Sequence, residues 1–450
     1  MGKYFGTDGF RGEAGVVLTA EHAYKVGRFL GDFSKKVHDG RARVVIGKDT
    51  RRSSYMLEYA IAAGLSASGA DAYMLHVTTT PGVSYVTSSD AFDFGVMISA
   101  SHNPFYDNGI KIVNHRGEKI DDKVIDDIEA YIDGKVGEIP YATGSDVGEI
   151  VDYYAGRNRY IGFLISLSRH SFKNYKVGID AANGGAWMIA KSVFDALGAK
   201  TSVINAEPDG VNINVASGST HIEALVRHVK ENRLDIGFAF DGDADRCIAV
   251  DERGEVVNGD HILYILANSM RRSGELKNNT VVTTVMSNLG LYRAFDEAGI
   301  NYEQTSVGDR FVYENMQKNG YALGGEQSGH IIISKYATTG DGLLTAIMIT
   351  EEMRDRKSSL SALAEPVKLY PQHLVNLRVK DKALVTSDSD VLAAVAEVER
   401  LIDGNGRALL RESGTEPVIR VMIESETDAL CRAYADKIAD VIKAKGHCVE

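Results

Sequence analysis

The sequence predicts an α/β protein made of three related α/β domains with mixed sheets, plus a smaller C-terminal α+β domain. Up to about residue 364, short apolar runs alternate with amphipathic helical patterns, which predicts parallel or mixed sheets covered by helices. After Pro366 and Pro371 the predicted order becomes strand, helix, strand, strand, helix, which is typical of an α+β domain. A length of 450 residues suggests about three or four domains. We place them at residues 1–148, 149–256, 257–366 and 367–450.

The composition is that of an ordinary water-soluble globular protein, with 44% hydrophobic and 25% charged residues. A net charge of −12 argues against nucleic acid or an anionic membrane as a partner, although local Arg and Lys clusters can hold a phosphorylated small molecule. We find no signal-peptide pattern and no run near the ~20 apolar residues of a membrane-spanning helix. Cys247, Cys431 and Cys448 form no CxxC pair, so we expect neither a disulfide framework nor a zinc site. A cytoplasmic protein is expected.

The first domain shows a β-α-β alternation that ends in a glycine-rich, acidic stretch. We predict helices at 19–36, 54–68 and 120–132 and strands at 43–47 and 72–77. The stretch 134–148 contains few large apolar residues and marks the first domain boundary.

A polar loop directly after a short apolar strand is the first candidate active site. The strand at Val96–Ile98 breaks into the sequence SASHNP, residues 99–104. Ligands of open α/β sheets bind at the carboxyl ends of the strands. Ser99 and Ser101 lie on the same side of an extended chain, so strand geometry does not separate them as nucleophiles. We prefer Ser101 because it adjoins His102 and lies nearer the turn.

The returning chain brings cationic groups to the same loop. Asp107-Asn108-Gly109 predicts a tight turn, and Ile110–Val113 predicts the next strand. Lys111 on that strand then lies near the serine and the histidine. The opening stretch GTDGFRG places Arg11 between glycines, which suits either a turn anchored by a salt bridge or an anion contact. The alternative for the serine loop is a capped turn with a surface histidine.

The second domain carries a candidate metal site. Asp241, Asp243 and Asp245 alternate with small residues after an apolar strand, so their carboxylates can converge on one Mg²⁺. An EF-hand calcium loop is the alternative, because Glu252 falls at its twelfth position. That interpretation fails because Arg246 occupies the position that requires glycine, and because both flanks are strand-like. The predicted elements are strands at 176–181, 200–205 and 236–240 and helices at 186–197 and 222–230.

The third domain ends in a loop of closely spaced polar groups. Gly324–His330 offers the Glu326 carboxylate, the Ser328 hydroxyl and the His330 imidazole, which suit the hydroxyl groups of a sugar. A solvated turn is the alternative. The predicted elements are helices at 261–271, 289–298, 310–318 and 340–354 and strands at 280–285, 302–305 and 321–323.

The last domain contains a candidate phosphate-binding loop between its second and third strands. The sequence RESGTEP starts at Arg411, and Arg420 follows it. Two arginines, two hydroxyls and backbone N–H groups around a glycine can converge on phosphate oxygens. An ordinary turn is the alternative. Helices are predicted at Asp390–Leu401 and Asp428–Lys443.

These four loops, in this order, resemble those of the α-D-phosphohexomutase superfamily over essentially the whole chain. SASHNP is similar to the family's phosphoserine loop, DGDADR to its metal loop, GEQSGH to its sugar-specificity loop and RESGTEP to its phosphate loop. GTDGFRG, GGEQSGH and SGTEP look most like the bacterial phosphoglucosamine mutases. The phosphomannomutase/phosphoglucomutase relatives of the same superfamily are the alternative. The resemblance implies four domains around a central cleft.

The resemblance also implies roles for individual residues. Ser101 would carry the phosphoryl group as phosphoserine and, with Asp241, Asp243 and Asp245, would bind one Mg²⁺ per chain. The residues that line the transfer site would be Arg11, His102, Lys111, Arg246 and His330. Contacts to sugar hydroxyls would come from Glu326 and Ser328. The non-reacting phosphate would be held by Arg411, Ser413, Gly414, Thr415 and Arg420. Glu412 departs from the family pattern, which often has a basic residue there.

The implied activity is an isomerase reaction between glucosamine 6-phosphate and glucosamine 1-phosphate, with glucosamine 1,6-bisphosphate as intermediate or activator. The product would feed UDP-N-acetylglucosamine and peptidoglycan synthesis. Lys111 or His330 would accept the proton of the attacking hydroxyl, and the sequence does not choose between them. A homodimer and an activating kinase are candidate partners. Rival interpretations are a Mg²⁺-dependent phosphatase, which commonly uses an aspartate nucleophile, and a non-catalytic calcium-binding module.

Overall fold

The structure is a computed structural model, and it describes residues 2–6, 8–37, 40–413 and 417–449. The chain forms two compact units. The first comprises Met1–Met286 and Ile300–Glu365, and the second comprises Ser287–Gly299 and Pro366–Glu450. In the part of the chain described, none of the helices combines the length and the apolar character needed to cross a bilayer.

The α-helices follow one another along the chain with short connections. They are α1 (Ala20–Val37), α2 (Arg52–Ala67), α3 (Thr80–Ser89), α4 (Asp122–Ile132), α5 (Tyr154–Ser166), α6 (Ile189–Ala196), α7 (Glu223–Asn232), α8 (Gly259–Arg272), α9 (Leu289–Ala298), α10 (Asp309–Asn319), α11 (Gly342–Arg356), α12 (Leu360–Ala364), α13 (Lys382–Ser387), α14 (Ser389–Ile402) and α15 (Asp428–Ala444).

The strands alternate with these helices and form four sheets. They are β1 (Phe5–Gly6), β2 (Gly9–Glu13), β3 (Arg43–Lys48), β4 (Asp71–Val77), β5 (Phe94–Ile98), β6 (Asp107–Asn114), β7 (Ile150–Asp152), β8 (Lys176–Asp180), β9 (Lys200–Ile204), β10 (Ile236–Phe240), β11 (Cys247–Asp251), β12 (Val256–Val257), β13 (Thr280–Thr284), β14 (Asn301–Thr305), β15 (Leu323–Gly325), β16 (Ile331–Ile333), β17 (Gln372–Arg378), β18 (Arg407–Glu412) and β19 (Val418–Glu424).

The first sheet has the strand order β1-β2-β6-β5-β3-β4-β7. Strands β5, β3, β4 and β7 are mutually parallel, whereas β6, β2 and β1 continue the sheet through antiparallel pairs. Helix α2 contributes the apolar stripe Leu57, Ile61 and Leu65 to the same core as Val44 and Ile46 of β3. The mixed sheet predicted for this part of the chain is therefore confirmed.

The second and third sheets repeat this arrangement on a smaller scale. The second has the order β12-β11-β10-β8-β9, and the third has the order β14-β13-β15-β16. Strands β10, β8 and β9 are parallel, as are β14, β13 and β15. Strands β11 and β16 pair antiparallel with the strand that precedes them in the chain. The three α/β parts are thus related, as predicted, because the strands of their sheets pair in a similar way.

Each of the three polar loops of the first unit joins a parallel strand to an antiparallel partner. The loop at 99–106 joins β5 to β6, the loop at 241–246 joins β10 to β11, and the loop at 326–330 joins β15 to β16. Each loop therefore begins at the carboxyl end of a parallel strand, where open α/β sheets bind ligands.

The second unit contains an antiparallel sheet with the order β17-β19-β18. Its core combines Val391 and Val398 of α14 with Ile438 of α15 and with Ile419 and Val421 of β19. The first four residues of β19 alternate between partly exposed and buried, as in a sheet with one face in the core, whereas Val421–Glu424 are all buried. The predicted smaller α+β part is confirmed.

The predicted tight turn at Asp107-Asn108-Gly109 is wrong, because these residues are the first three of β6. Pairing with β2 extends the ladder to Asp107. The Asn108 amide donates to the hydroxyls of Ser53 and Ser54 at 2.8 and 2.9 Å, which satisfies a side chain that otherwise favours a turn. The turn lies instead at residues 105–106.

Two further features differ from the sequence analysis. Helix α3 was not predicted; Thr79 caps it by accepting from the Gly82 N–H, and Pro81 occupies its first turn. Strand β7 pairs with β4, so the first sheet continues to Asp152, beyond the boundary placed at residue 148. The bounds of the four domains stay predictions.

Gly64 of α2 packs against α1, and we predict that this contact leaves no room for a side chain. A Cβ there would lie 2.2 Å from the Tyr24 carbonyl oxygen, so Gly64→Ala should destabilise the protein by about 1–3 kcal/mol and lower the Tm. Gly162 is the matched control, because it is an exposed helical glycine with no atom within 4 Å of an added Cβ. Gly162→Ala should raise the Tm slightly. Equal Tm changes for the two variants in thermal unfolding would contradict the packing described.

Candidate active site

Ser101 lies in the loop after β5, and its hydroxyl reaches the carboxylates that follow β10. The Ser101 backbone is left-handed, with φ of 52°, and its N–H donates to the Ser99 hydroxyl at 3.0 Å. This turn directs the Ser101 hydroxyl to Asp241 Oδ2, to which it donates at 2.5 Å. His102 Nδ1 lies 3.2 Å from the same hydroxyl. The structure thus brings together three of the predicted site residues.

Ser99 is held inside the turn rather than in the site. Its side chain is fully buried, and its oxygen faces Arg51 Nη1 at 3.4 Å in addition to the Ser101 N–H. The Arg51 guanidinium also donates to the carbonyl oxygens of Ser101 and Asn103, at 3.1 and 2.6 Å. The Asn214 amide donates to the same two carbonyls at 2.9 and 3.1 Å. Of the two serines, Ser101 is therefore the one whose hydroxyl contacts the carboxylates.

Asp241, Asp243 and Asp245 form a cluster of buried carboxylates. Their oxygens lie within 4.8 Å of one another. Burial, together with the negative charges of Asp245 and Asp243, raises the pKa of Asp241. Gly242 allows the close approach of the serine loop, because a Cβ at this position would lie 2.5 Å from the Ser101 carbonyl oxygen.

The carboxylate cluster has the donor set and the unused acceptors that a divalent cation requires. Oδ1 of Asp243 and Oδ1 of Asp245 are buried, and neither accepts a hydrogen bond from the residues that the structure describes. A buried polar oxygen without a partner is costly. Oxygen ligands are those preferred by Mg²⁺. These residues therefore fit a Mg²⁺ ion, with the Ser101 oxygen beside them.

Lys111 of β6 supplies positive charge to the cluster. Its Nζ lies 2.8 Å from Asp243 Oδ2, 3.3 Å from Asp245 Oδ2 and 3.2 Å from Asp8 Oδ2. Burial opposes its charge, but these three carboxylates raise the pKa of Lys111 well above its ordinary value. Arg11 pairs with Asp8 on the same side. The predicted Arg11 and Lys111 are therefore both at the cluster.

His102 lies among positive groups and is neutral near pH 7. Burial, followed by the charges of Arg246 and Arg11, lowers the pKa of His102 to about 4. A neutral imidazole can accept a proton or a hydrogen bond from a hydroxyl, which the charged form cannot do.

His330 lies near the same carboxylates, in the loop between β15 and β16. Its Nδ1 is 3.8 Å from Asp245 Oδ1, and its Nε2 accepts the Gly340 N–H at 2.9 Å. Burial opposes a charge on this ring, but Asp245 and Asp309 raise the pKa of His330 to about 9. The Gly340 hydrogen bond requires an unprotonated Nε2, whereas the carboxylates favour the charged ring, so protonation of His330 and the Gly340 contact exclude one another.

The remaining predicted residues of the first unit lie beside the same loops. Glu326 Oε1 accepts the Gly308 N–H at 3.1 Å, and burial raises the pKa of Glu326. The backbone N–H of Arg246 donates to Asp241 Oδ1 at 3.2 Å. The Ser328 oxygen is buried and makes no hydrogen bond to any residue in the described ranges. Arg246 and Ser328 line one cavity of about 330 Å³.

In the second unit, the two predicted arginines lie opposite each other on two neighbouring strands. Arg411 of β18 is paired in register with Arg420 of β19. Like charges directly opposite one another are destabilising, and burial together with Arg420 lowers the pKa of Arg411. The buried Arg411 Nε has no hydrogen-bond partner among the described residues. The Arg411 Nε is therefore a donor available to an anion. Ser413 follows β18 directly, whereas Gly414 and Thr415 lie outside the described residues.

Several residues of the site were missed by the sequence analysis. In the first unit they are Asp8, which pairs with Lys111, Thr80, whose hydroxyl donates to Asp243 Oδ2 at 2.5 Å, and the two loop-binding residues Arg51 and Asn214. Lys382 in the second unit donates to the Ser413 carbonyl at 2.7 Å. Signals existed for Arg51 and Thr80, which each follow a predicted strand closely, and for Asp8, which belongs to the GTDGFRG stretch. Asn214 and Lys382 lie at positions that carry no local motif.

Curated relatives match the chain over its full length. It is 63% identical over 450 residues to a phosphoglucosamine mutase of Lachnospira eligens, with all of both chains covered. It is 49% identical over 443 residues to a phosphoglucosamine mutase of Geobacillus thermodenitrificans, covering 98% of this chain and 99% of the relative.

Solved structures share the fold. A phosphoglucomutase/phosphomannomutase family protein of Burkholderia thailandensis matches with a TM-score of 0.81 and 25% identity, over 98% of this chain and 97% of that one. An Aspergillus fumigatus N-acetylphosphoglucosamine mutase, solved with GlcNAc-6P and magnesium, matches with a TM-score of 0.71 and 16% identity, over 98% and 96% of the two chains.

Family models match most of the chain. Those for phosphoglucomutase/phosphomannomutase α/β/α domains I, II and III match residues 2–136, 158–254 and 258–370, and the model for the C-terminal domain matches 374–441. The resemblance inferred from the four loops is thereby confirmed. The chain belongs to the phosphoglucomutase/phosphomannomutase family.

Proposed function

We propose that this chain is a phosphohexomutase that interconverts glucosamine 6-phosphate and glucosamine 1-phosphate. The observation that carries the proposal is the Ser101 hydroxyl, which is held against the buried carboxylates of residues 241–245 with Lys111 beside them. The full-length relatives named phosphoglucosamine mutase support the choice of sugar.

Mg²⁺ is the cofactor that the site fits. Asp241, Asp243 and Asp245, together with the Ser101 oxygen or its phosphate, would hold one ion. When bound, Mg²⁺ neutralises charge on the transferring phosphoryl group. The Aspergillus fumigatus enzyme of the same fold, which was solved in complex with magnesium, supports this choice.

The first half-reaction starts from phosphoserine at Ser101. The phosphoryl group passes to the 1-hydroxyl of glucosamine 6-phosphate: the bond from phosphorus to Ser101 Oγ breaks, and the bond to O1 forms. The hydroxyl proton leaves through a base and ends on Oγ. The sugar is now glucosamine 1,6-bisphosphate. After this intermediate turns around, its 6-phosphoryl group returns to Ser101, O6 takes the proton, and glucosamine 1-phosphate is released. The cycle consumes neither water nor free phosphate.

Positioning and charge stabilisation are the main demands of phosphoryl transfer. Lys111, Arg11 and Arg246 bring three cationic side chains to the carboxylate cluster, and these would neutralise the phosphoryl oxygens. Neither predicted proton acceptor has a free lone pair in this arrangement, because Asp243, Asp8 and Asp245 keep Lys111 charged and His330 Nε2 accepts the Gly340 N–H. Before either can accept the hydroxyl proton, Lys111 must lose its own proton or His330 must release the Gly340 N–H.

The remaining predicted contacts complete the proposed site. Glu326 and Ser328 would contact the sugar hydroxyls. The non-reacting phosphate would be bound by the second unit, where Arg411 and Arg420 face each other across the strands, with Ser413, Gly414 and Thr415 in the loop between them. The cytoplasmic location, the homodimer, the activating kinase and the role in peptidoglycan precursor synthesis stay predictions.

Loss of one carboxylate should weaken metal binding and activity together. In Asp243→Asn, we expect the Mg²⁺ affinity to fall at least about 10-fold, because a charged ligand becomes neutral. Asp251→Asn is the control, because within the described ranges the buried Asp251 carboxylate accepts only backbone N–H groups, those of Arg253 and Glu255, at 2.9 and 2.8 Å. Calorimetric Mg²⁺ titration and activity after chelation measure the effect. Full activity of the wild type in excess chelator would contradict the metal assignment.

Removing one arginine of the second unit should weaken binding of the phosphosugar. We expect Arg420→Ala to raise the KM for glucosamine 6-phosphate roughly 10- to 100-fold, because a charge-assisted contact to phosphate is lost. Arg432→Ala is the matched control, since Arg432 is exposed on α15. Steady-state kinetics on both variants test this. If KM and kcat of Arg420→Ala equal those of the wild type, the loop after Arg411 is an ordinary turn.

A further inference from the structure

The connection between β9 and α7, in which the sequence analysis found no motif, contributes to the cavity lined by Arg246 and Ser328. The cavity has a volume of about 330 Å³. Its wall combines Arg246 and Ser328 with residues that have no role in the site described above. Its polar lining consists of Ser219, Thr220, Arg246, Asn258, Gln327 and Ser328. Ser219 and Thr220 belong to the connection between β9 and α7.

Three polar atoms of this lining are buried and make no hydrogen bond to any residue the structure describes. They are Ser219 Oγ, Ser328 Oγ and Arg246 Nε. An unsatisfied buried donor or acceptor is costly, and native proteins contain few of them. Three such atoms in residues that line one cavity suit a polar ligand that would supply their partners.

The position of Ser219 is fixed relative to the carboxylate cluster. Its N–H donates to the carbonyl oxygen of Phe240 at 2.9 Å, and Phe240 immediately precedes Asp241. The sugar loop is anchored as well, because the Gly259 N–H donates to the Gln327 carbonyl at 3.0 Å. Ser219 and Ser328 therefore both belong to segments that backbone hydrogen bonds hold in place.

We propose that Ser219 is a specificity-determining residue, whose hydroxyl forms with that of Ser328 a subsite for the amino group of the sugar. This inference rests on the function proposed above. A protonated amino group needs hydrogen-bond acceptors. Serine oxygens can accept, whereas the Arg246 guanidinium only donates and carries the same charge. The amino group is therefore assigned to the oxygens of Ser219 and Ser328, the lining hydroxyls that lack a hydrogen-bond partner among the described residues, and the oxygens of the sugar are assigned to Arg246.

The test compares two substrates in two serine variants. In Ser219→Ala we expect kcat/KM for glucosamine 6-phosphate to fall roughly 10-fold, and that for glucose 6-phosphate to fall roughly 3-fold or less, because a hydrogen bond to a charged group is the stronger one. Ser217→Ala is the matched control. Its oxygen is also buried and lacks a partner among the described residues, but Ser217 does not line the cavity. This variant should keep the wild-type preference between the two sugars.

The outcomes separate this inference from the proposed function. A Ser219→Ala variant with wild-type Tm and an equal loss for both sugars, or no loss, would overturn the role of Ser219. The same selective loss in Ser217→Ala would also overturn it, because the effect would then not come from the cavity. Wild-type protein without turnover of glucosamine 6-phosphate would contradict the proposed function, and the Ser219 inference with it.

Discussion

The three buried carboxylates after β10 determine how the rest of the site is built. Carboxylates packed this closely, away from water, repel one another and lose hydration, so each requires a compensating group. Lys111 and the Ser101 hydroxyl, which belong to the first sheet and its loop, provide two of these groups. A loop of the second sheet is thus stabilised by residues of the first. The Oδ1 atoms of Asp243 and Asp245, which accept no hydrogen bond from the described residues, mark where a cation would complete the compensation.

Hairpin connections place the functional groups. In each sheet of the first unit, a parallel strand is followed by an antiparallel partner, and the intervening loop carries Ser101, the aspartates or His330. Strand pairing continues up to the ends of these loops. Phe240 pairs with Cys247 on either side of the metal loop, and Gly325 pairs with Ile331 on either side of the sugar loop. Because a paired strand leads directly into each loop, the polar groups are positioned by the sheets rather than by the loops themselves.

The sequence predicted those parts of the site that follow a strand within a few residues. Ser101, the three aspartates and His330 belong to this class, because a short apolar run ending in polar residues is a local signal. Residues that reach the site over long distances in the chain were missed. Asn214 contacts the serine loop through packing that no local pattern encodes. Thr80 follows a predicted strand, but its hydrogen bond to Asp243 joins segments that follow strands of two different sheets, which no local pattern encodes either. The left-handed backbone at Ser101 is equally invisible in the sequence, and it is this turn that separates Ser101 from Ser99.

The position of the phosphoryl group decides whether Ser101 is the nucleophile of the proposed reaction. Tandem mass spectrometry of the peptide that contains both Ser99 and Ser101, taken from protein incubated with glucosamine 1,6-bisphosphate, locates the phosphate. The hydrogen bond from Ser101 to Asp241, and the burial of Ser99 beneath Arg51, predict phosphate on Ser101 alone. Phosphate on Ser99 in wild-type protein, or none on Ser101, would contradict the assignment of Ser101.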